Sequence, residues 1–376
     1  MMDLYTYKKN CSGCTACVNV CPQNAIVMQK DSEGFLYPEI VWDKCMNCRL
    51  CQKVCGFKTP SEKYPLKFYA VKNKSTEIIH TSSSGGMFSA ISDYILNLGG
   101  VVCGAAYNYE QHIVEHVFCR TREERDRLKG SKYLQSELHD SFAQIENCLK
   151  AGETVLFVGT PCQVSGLLNF LEQKRLDLTT LYTCDLVCHG VPSPKIWKDY
   201  ITAIEKKQHI KVDYVTFKDK RNGWEHPVII VKNGSREIQL DAIKRVLFGD
   251  VAMRPSCHNC KFTNLNRVGD ITIGDFWGIR GKHPEFYDKN GVSLVLVNTG
   301  QGMELFQKIR NYIDICESNE AECEQPNLKS PTKMSDRRQI FWKDYENTQI
   351  CKLINKYGCI FLADLLCLKV KKILKR

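Results

Sequence analysis

The chain has 376 residues, enough for two or three domains with cores of their own. With 43% hydrophobic and 25% charged residues it has the composition of an ordinary globular protein, and no stretch reaches the roughly 18 apolar residues of a membrane-spanning helix. A formal net charge of +10 is spread along the chain rather than gathered on a recognition motif, which argues against nucleic acid and suits an acidic protein partner.

The anomaly is a count of 21 cysteines. The N-terminus MMDLYTYKKN lacks the apolar segment of a secretory leader, so a cytoplasmic location is expected, with thiols reduced or bound to metal. CSGCTACVNVCP at 11–22 and CMNCRLCQKVC at 45–55 repeat one phrase, C-x2-C-x2-C-x3-C. In that phrase three cysteines of one copy and the fourth of the other hold each 4Fe-4S cluster. The spacing predicts one cluster on Cys11, Cys14, Cys17 and Cys55, and a second on Cys45, Cys48, Cys51 and Cys21. Zinc sites use separated C-x2-C pairs instead. Gly56 stands where the first copy has Pro22, which weakens the turn and removes no ligand.

A ferredoxin domain is therefore expected over 1–62, closed by the Pro-containing polar segment TPSEKYP at 59–65. LKFYAVKN at 66–73 predicts a strand. SSSGGMFSAISDYILNLGG at 82–100 predicts a helix, with Met87, Phe88, Ile91, Tyr94, Ile95 and Leu98 at helical spacing and Gly99-Gly100 as its C-cap. Its serine- and glycine-rich start offers N–H groups to a phosphate, although the same residues also simply cap helices. After the charged stretch TREERDRLKG, TVLFVGTPCQVSGLLNFL at 154–171 is a strand turning into a helix, with Cys162 in the crevice where α/β sheets hold ligands. LYTCDLVC at 181–188 and a helix from Lys195, capped by Ser193 and Pro194, form a second such step. Further strands are expected at 212–217, 227–232, 270–275 and 292–298, with a helix at 301–313. Beyond residue 325 the pattern fades until CIFLADLLCL at 359–368, which runs into KVKKILKR. This end reads as a helix docked on its own protein, with peripheral contact to an anionic membrane as a second reading.

Six stretches carry a resemblance that none carries alone: TSSSGGMFSAI, GSKYLQS (130–136), VGTPCQVSGLL, LVCHGVPSPKIW, FKDKRNGW (217–224) and RPSCHNCKFTNLNRVGDITIGDFWG. Together they resemble the beta-subunit family of coenzyme F420 hydrogenases and dehydrogenases, over about residues 1–300 and with the ferredoxin module in front. The fold class expected is α/β (α+β): an N-terminal bacterial-type ferredoxin domain, then a mixed α/β flavin-binding region in two parts, 66–148 and 150–325, and a helical tail over 326–376. The resemblance implies bound FAD passing electrons between ferredoxin-type clusters and a second redox partner. The partners expected are ferredoxin or another redox protein, and a redox substrate or hydride carrier such as coenzyme F420.

The resemblance also implies a third 4Fe-4S cluster, on Cys162, Cys188, Cys257 and Cys260, with Cys184 able to replace one of them. By analogy with the family's motifs, Ser83, Ser84, Gly85, Gly86 and Lys132 are expected to contact the flavin. His189, Asp270 and Asp275 are expected either to shuttle protons or to serve as structural hydrogen-bonding residues. Cys103, Cys119, Cys148, Cys316, Cys323, Cys351, Cys359 and Cys367 fit no ligand spacing and read as structural. The function expected is an iron-sulfur flavoprotein oxidoreductase; the alternative is a non-catalytic electron-transfer subunit without flavin.

Overall fold

In the computed structural model, residues 4–58 and 63–373 are described, with side chains to residue 363. Each cysteine loop runs into a single helical turn, Ala16–Asn19 and Leu50–Lys53, and an antiparallel hairpin of β1 (Ile26–Lys30) and β2 (Leu36–Ile40) joins the two. Asp31 closes the hairpin turn by accepting from the N–H groups of Glu33 and Phe35, with Gly34 at φ +83°. Most of the expected linker, residues 59–62, lies outside the described residues.

From β3 (Lys67–Asn73) the chain builds a large mixed sheet. It continues through α1 (Met87–Asn97), β4 (Val101–Asn108), β5 (Ile113–Cys119), β6 (Ser136–Glu137), α2 (Ser141–Lys150), β7 (Val155–Gly159), α3 (Pro161–Lys174), β8 (Leu181–Leu186) and α4 (Pro194–Gln208). A three-stranded sheet of β9 (Tyr214–Asp219), β10 (Val228–Asn233) and β11 (Arg236–Gln239) follows, then α5 (Asp241–Leu247). The chain returns to the large sheet with β12 (Ile271–Asp275), β13 (Ser293–Val297), α6 (Gly300–Ile309) and β14 (Ile313–Ser318), and ends in α7 (Arg338–Asn347) and α8 (Ile350–Ile373).

The nine strands run in the order β14-β3-β13-β12-β8-β7-β4-β5-β6. The centre, β12-β8-β7-β4, is parallel, and antiparallel strands extend it on both sides. Parallel strands are covered on both faces, which explains why VLFVG at 155–159 reads as one apolar run rather than an alternation. Strands from both sides of residue 150 share this sheet, so its core is continuous from Val71 and Ile91 to Leu156 and Val295.

The helix expected over 301–313 stops at Ile309. A 3-10 turn at Arg310–Tyr312 redirects the chain into β14, which pairs with β3. Past residue 325, where the pattern fades, two helices stand. Leu353, Ile354, Tyr357 and Phe361 of α8 enter the core under the small sheet, and Arg245 Nε donates to the Gly358 carbonyl at 2.8 Å. The start of α8 is thus docked on its own protein, while the side chains of KVKKILKR lie outside those described. Among the described residues no helix is long and apolar enough to cross a membrane.

Candidate redox site

Twelve cysteines line three cavities. Cys11, Cys14, Cys17 and Cys55 share one, beside Tyr5 and Pro38, and Cys51 lines both this cavity and the next. Cys21, Cys45, Cys48 and Cys51 share a second, which lies at the surface because Cys48, Met46 and Arg49 are exposed. Each of these sets takes three sulfurs from one loop and one from the other, because the single helical turns bring Cys21 and Cys55 back across the module. Cys162, Cys188, Cys257 and Cys260 share the third, with Ser12, Gln135, His189 and Arg254. Cys184 is not among them. It points from β8 into the apolar core with Val71, Ile91 and Leu156.

Burial, aided by neighbouring sulfurs, pushes the Cys14 and Cys257 thiols up to about 12 and Cys260 to about 11, and Cys17 and Cys188 also rise well above the ordinary thiol range. Backbone N–H groups already point at several sulfurs: Ala25 at Cys21 (3.3 Å), Val191 at Cys257 (3.4 Å) and Phe262 at Cys260 (3.5 Å). Four convergent thiols with amide donors behind them form a donor set suited to an iron-sulfur cluster, whose metal charge keeps the thiolates ionised.

Helix α3 is the wedge between the first and third cavities. Thr160 caps it, and Pro161 at its first turn sets Cys162 facing outward from the end of β7. One turn later Gly166 meets the ferredoxin module so closely that a Cβ would stand 2.8 Å from Cys14 Sγ. A Cβ on Gly56 would stand 2.1 Å from Ser165 Oγ on the same helix. The glycine in the second cysteine phrase thus has a packing reason: the module docks through it.

Behind the third cavity, the Asp185 carboxylate of β8 is fully buried. It accepts from the N–H groups of Val268 and Gly269, from Thr272 Oγ1, and from Arg267 NH2 at 2.7 Å. Arg267 also donates to the Phe262, Asn264 and Leu186 carbonyls. This pair ties the loop carrying Cys257 and Cys260 to the strand that leads to Cys188. Neither residue stands out in sequence, because a buried ion pair leaves no spacing signal.

Of the remaining expected residues, His189 alone lines the third cavity. Ser83 Oγ accepts from Ser131 N at 2.6 Å, so the turn 82–86 meets the GSKYLQS segment. Gly85 lies against β3 and β13, where a Cβ would be 2.3 Å from the Val71 carbonyl oxygen, and Gly86, at φ +84°, precedes α1. Ser84 Oγ donates to the Val292 carbonyl. Lys132 Nζ is engaged by the carbonyls of Arg127, Leu128 and Lys129, and burial lowers its ammonium to about 7. Lys220 of the FKDKRNGW stretch donates to the Ile79 and Asn290 carbonyls beside the same turn, and Lys218 pairs with Asp275 over the stacked Trp224 and Trp277 rings. His189 lines the third cavity and its Nε2 lies 2.9 Å from Asp250. Asp270 is engaged elsewhere, accepting from Thr183 N, Thr183 Oγ1 and Thr299 Oγ1 where β8 meets α6.

Residues 152–322 match the family model for the C terminus of the coenzyme F420 hydrogenase/dehydrogenase beta subunit, and residues 10–59 match a 4Fe-4S dicluster domain. Over 54 residues the chain is 32% identical to an uncharacterised ferredoxin of Methanocaldococcus jannaschii, covering 14% of this chain and 69% of that one. Among solved structures it is similar to a chain of the F420-reducing NiFe hydrogenase complex from Methanosarcina barkeri, at 16% identity and a TM-score of 0.47, covering 81% of this chain and 94% of the other.

Proposed function

From a chain that belongs to the coenzyme F420 hydrogenase/dehydrogenase beta-subunit family by its C-terminal domain, and to the iron-sulfur electron-transfer proteins by its 4Fe-4S dicluster domain, we propose a flavin-dependent oxidoreductase with three clusters. In this reading Cys11, Cys14, Cys17 and Cys55 hold one cluster, Cys21, Cys45, Cys48 and Cys51 a second, and Cys162, Cys188, Cys257 and Cys260 a third. FAD, when bound, supplies the conversion between a two-electron organic couple and the one-electron clusters.

The observation that carries the reading is the position of the third cysteine set. Its cavity is lined by Ser12 of the ferredoxin module and by Gln135, whose Nε2 donates to the Ser12 carbonyl at 3.0 Å. Gln135 is four residues from Ser131, which is hydrogen-bonded to the Ser-Gly turn. Four residues of extended chain reach at most about 14 Å. The third set therefore bridges the module and the turn where the flavin is proposed to bind.

The turn suits the phosphates of FAD. Among the described residues the amides of Ser83, Ser84, Gly85 and Gly86 donate to no backbone carbonyl, and an eleven-residue helix begins behind them. In this reading Asp275 and His189, each with a charged partner, hold or move a proton for a two-electron acceptor such as coenzyme F420 or another hydride carrier. Exposed Met46 and Arg49 line the second cavity, and exposed Trp42, Lys44 and Lys53 lie close to its cysteines in the chain, a surface suited to an acidic carrier protein such as a ferredoxin.

The test is the iron, acid-labile sulfide and flavin content of anaerobically purified protein. About twelve irons and one FAD per chain are expected. About eight irons with no flavin after incubation with FAD would leave a non-catalytic electron-transfer subunit and overturn the proposal.

A further inference from the structure

Four arginines are buried among the described residues, and three of them meet a carboxylate. Arg125 lies 2.8 Å from Asp93, Arg267 lies 2.7 Å from Asp185, and Arg338 forks onto Glu33. Arg254 is completely buried and meets none. Its Nε donates to the Cys11 carbonyl at 2.9 Å, NH1 to Gln135 Oε1 at 2.8 Å, and NH2 to the Leu36 carbonyl at 3.0 Å, while its face covers the Tyr37 ring at 4.2 Å. All of these partners are neutral. They take three of the guanidinium's five N–H donors and leave its charge uncompensated, which a protein interior penalises heavily.

The groups that can compensate it are sulfurs. NH2 lies 3.9 Å from Cys11 Sγ, and the guanidinium packs on Gly13, 3.0 Å from where a Cβ would stand, inside the loop between Cys11 and Cys14. The same side chain lines the cavity of Cys162, Cys188, Cys257 and Cys260, and its own carbonyl accepts from Cys257 N at 2.9 Å. It does not line the surface cavity of Cys21, Cys45, Cys48 and Cys51.

We propose that Arg254 is a built-in counter-charge shared by the first and third cysteine sets, raising the reduction potential of the groups they hold. This rests on the reading that the cysteines bind iron-sulfur clusters. Adding an electron adds negative charge, and a fixed cation in a dry site stabilises the reduced state. The consequence is a bias: Arg254 makes the two inner sets better electron acceptors than they would be without it, favouring flow inward from the exposed set. Arg254 acts here as a positioning residue for charge and touches no substrate.

Three variants test this: Arg254→Gln removes the charge, Arg254→Lys keeps it, and Gln135→Glu places a carboxylate at the 2.8 Å contact while leaving the guanidinium in place. The readout is a potentiometric titration followed by electron paramagnetic resonance, with iron and sulfide measured on the same samples. Arg254→Gln and Gln135→Glu are expected to lower the reduced-to-oxidised ratio of the two inner clusters about tenfold at a fixed poise, 59 mV for one electron, and to leave the surface cluster unmoved. Arg254→Lys is expected to stay near the parent. If Arg254→Gln loses iron, Gln135→Glu decides. Full iron with no selective shift in Gln135→Glu would overturn the role of Arg254, whereas parent protein without iron would overturn the cluster reading itself.

Discussion

At the scale of single residues, two glycines define how the ferredoxin module sits on the rest of the chain. Gly56 departs from the proline of the first cysteine phrase, and Gly166 reads in sequence as an ordinary helix position. Both leave out a side chain where α3 meets the module, and a Cβ on Gly166 would stand 2.8 Å from Cys14 Sγ. Gly166→Ala is expected to cost about 1–3 kcal/mol by overpacking, despite the gain in helix propensity. Hydrogen exchange of residues 11–17 together with iron content checks it: unchanged protection and full iron would show that the contact yields without cost. The cysteines were legible because covalent metal chemistry demands fixed spacing. The glycines were not, because a close approach leaves no mark until the partner surface is known.

At the scale of elements, the third cysteine set is assembled from the ends of β7 and β8 and the loop before β12, segments nearly a hundred residues apart. The parallel register of β7 and β8 brings Cys162 and Cys188 to one edge, and the Asp185–Arg267 pair ties the loop before β12, which carries Cys257 and Cys260, to that sheet. Removing one partner of a buried, hydrogen-bonded pair leaves the other charge alone in the core. Arg267→Met is therefore expected to destabilise the protein by about 3–5 kcal/mol. It should also lower the iron content by about four per chain, with the module's irons retained. Loss of all iron, or of none, in folded Arg267→Met would contradict this division of labour. The strand-helix steps at 154–171 and 181–208 were readable from apolar runs and caps. The β14 strand and the helices after 325 were not, since their apolar residues cover only one face and their partners, β3 and α5, are remote in sequence.

For the whole molecule, on the proposed reading, the formal charge of +10, with exposed Lys44, Arg49 and Lys53 in the second cysteine segment, is the feature that steers an acidic redox partner. Steering of this kind acts on association rate and is screened over about 8 Å at physiological salt. Reduction by an acidic ferredoxin is expected to slow by about tenfold or more between low and high salt, with Lys44→Glu and Arg49→Glu slowing it at low salt alone. Stopped-flow rates across a salt series test this, and a salt-independent rate would place the entry point elsewhere. On the proposed reading, the route inward runs from the exposed set through the first set and past Arg254 to the third, where the segment 131–136 leads to the Ser-Gly turn.

The amino-acid sequence by itself determined the two interleaved cysteine sets, the α/β character and the resemblance that picked out Cys162, Cys188, Cys257 and Cys260, because spacing and local periodicity are properties of neighbouring residues. Only the tertiary structure decided that these last four share a cavity while Cys184 faces the core, and that Ser83 meets Ser131. It alone placed a cation without a carboxylate between the first and third sets. The reason is physical: burial, charge compensation and close approach depend on what lies across a cavity, and that is settled by sheet order and helix docking rather than by distance along the chain.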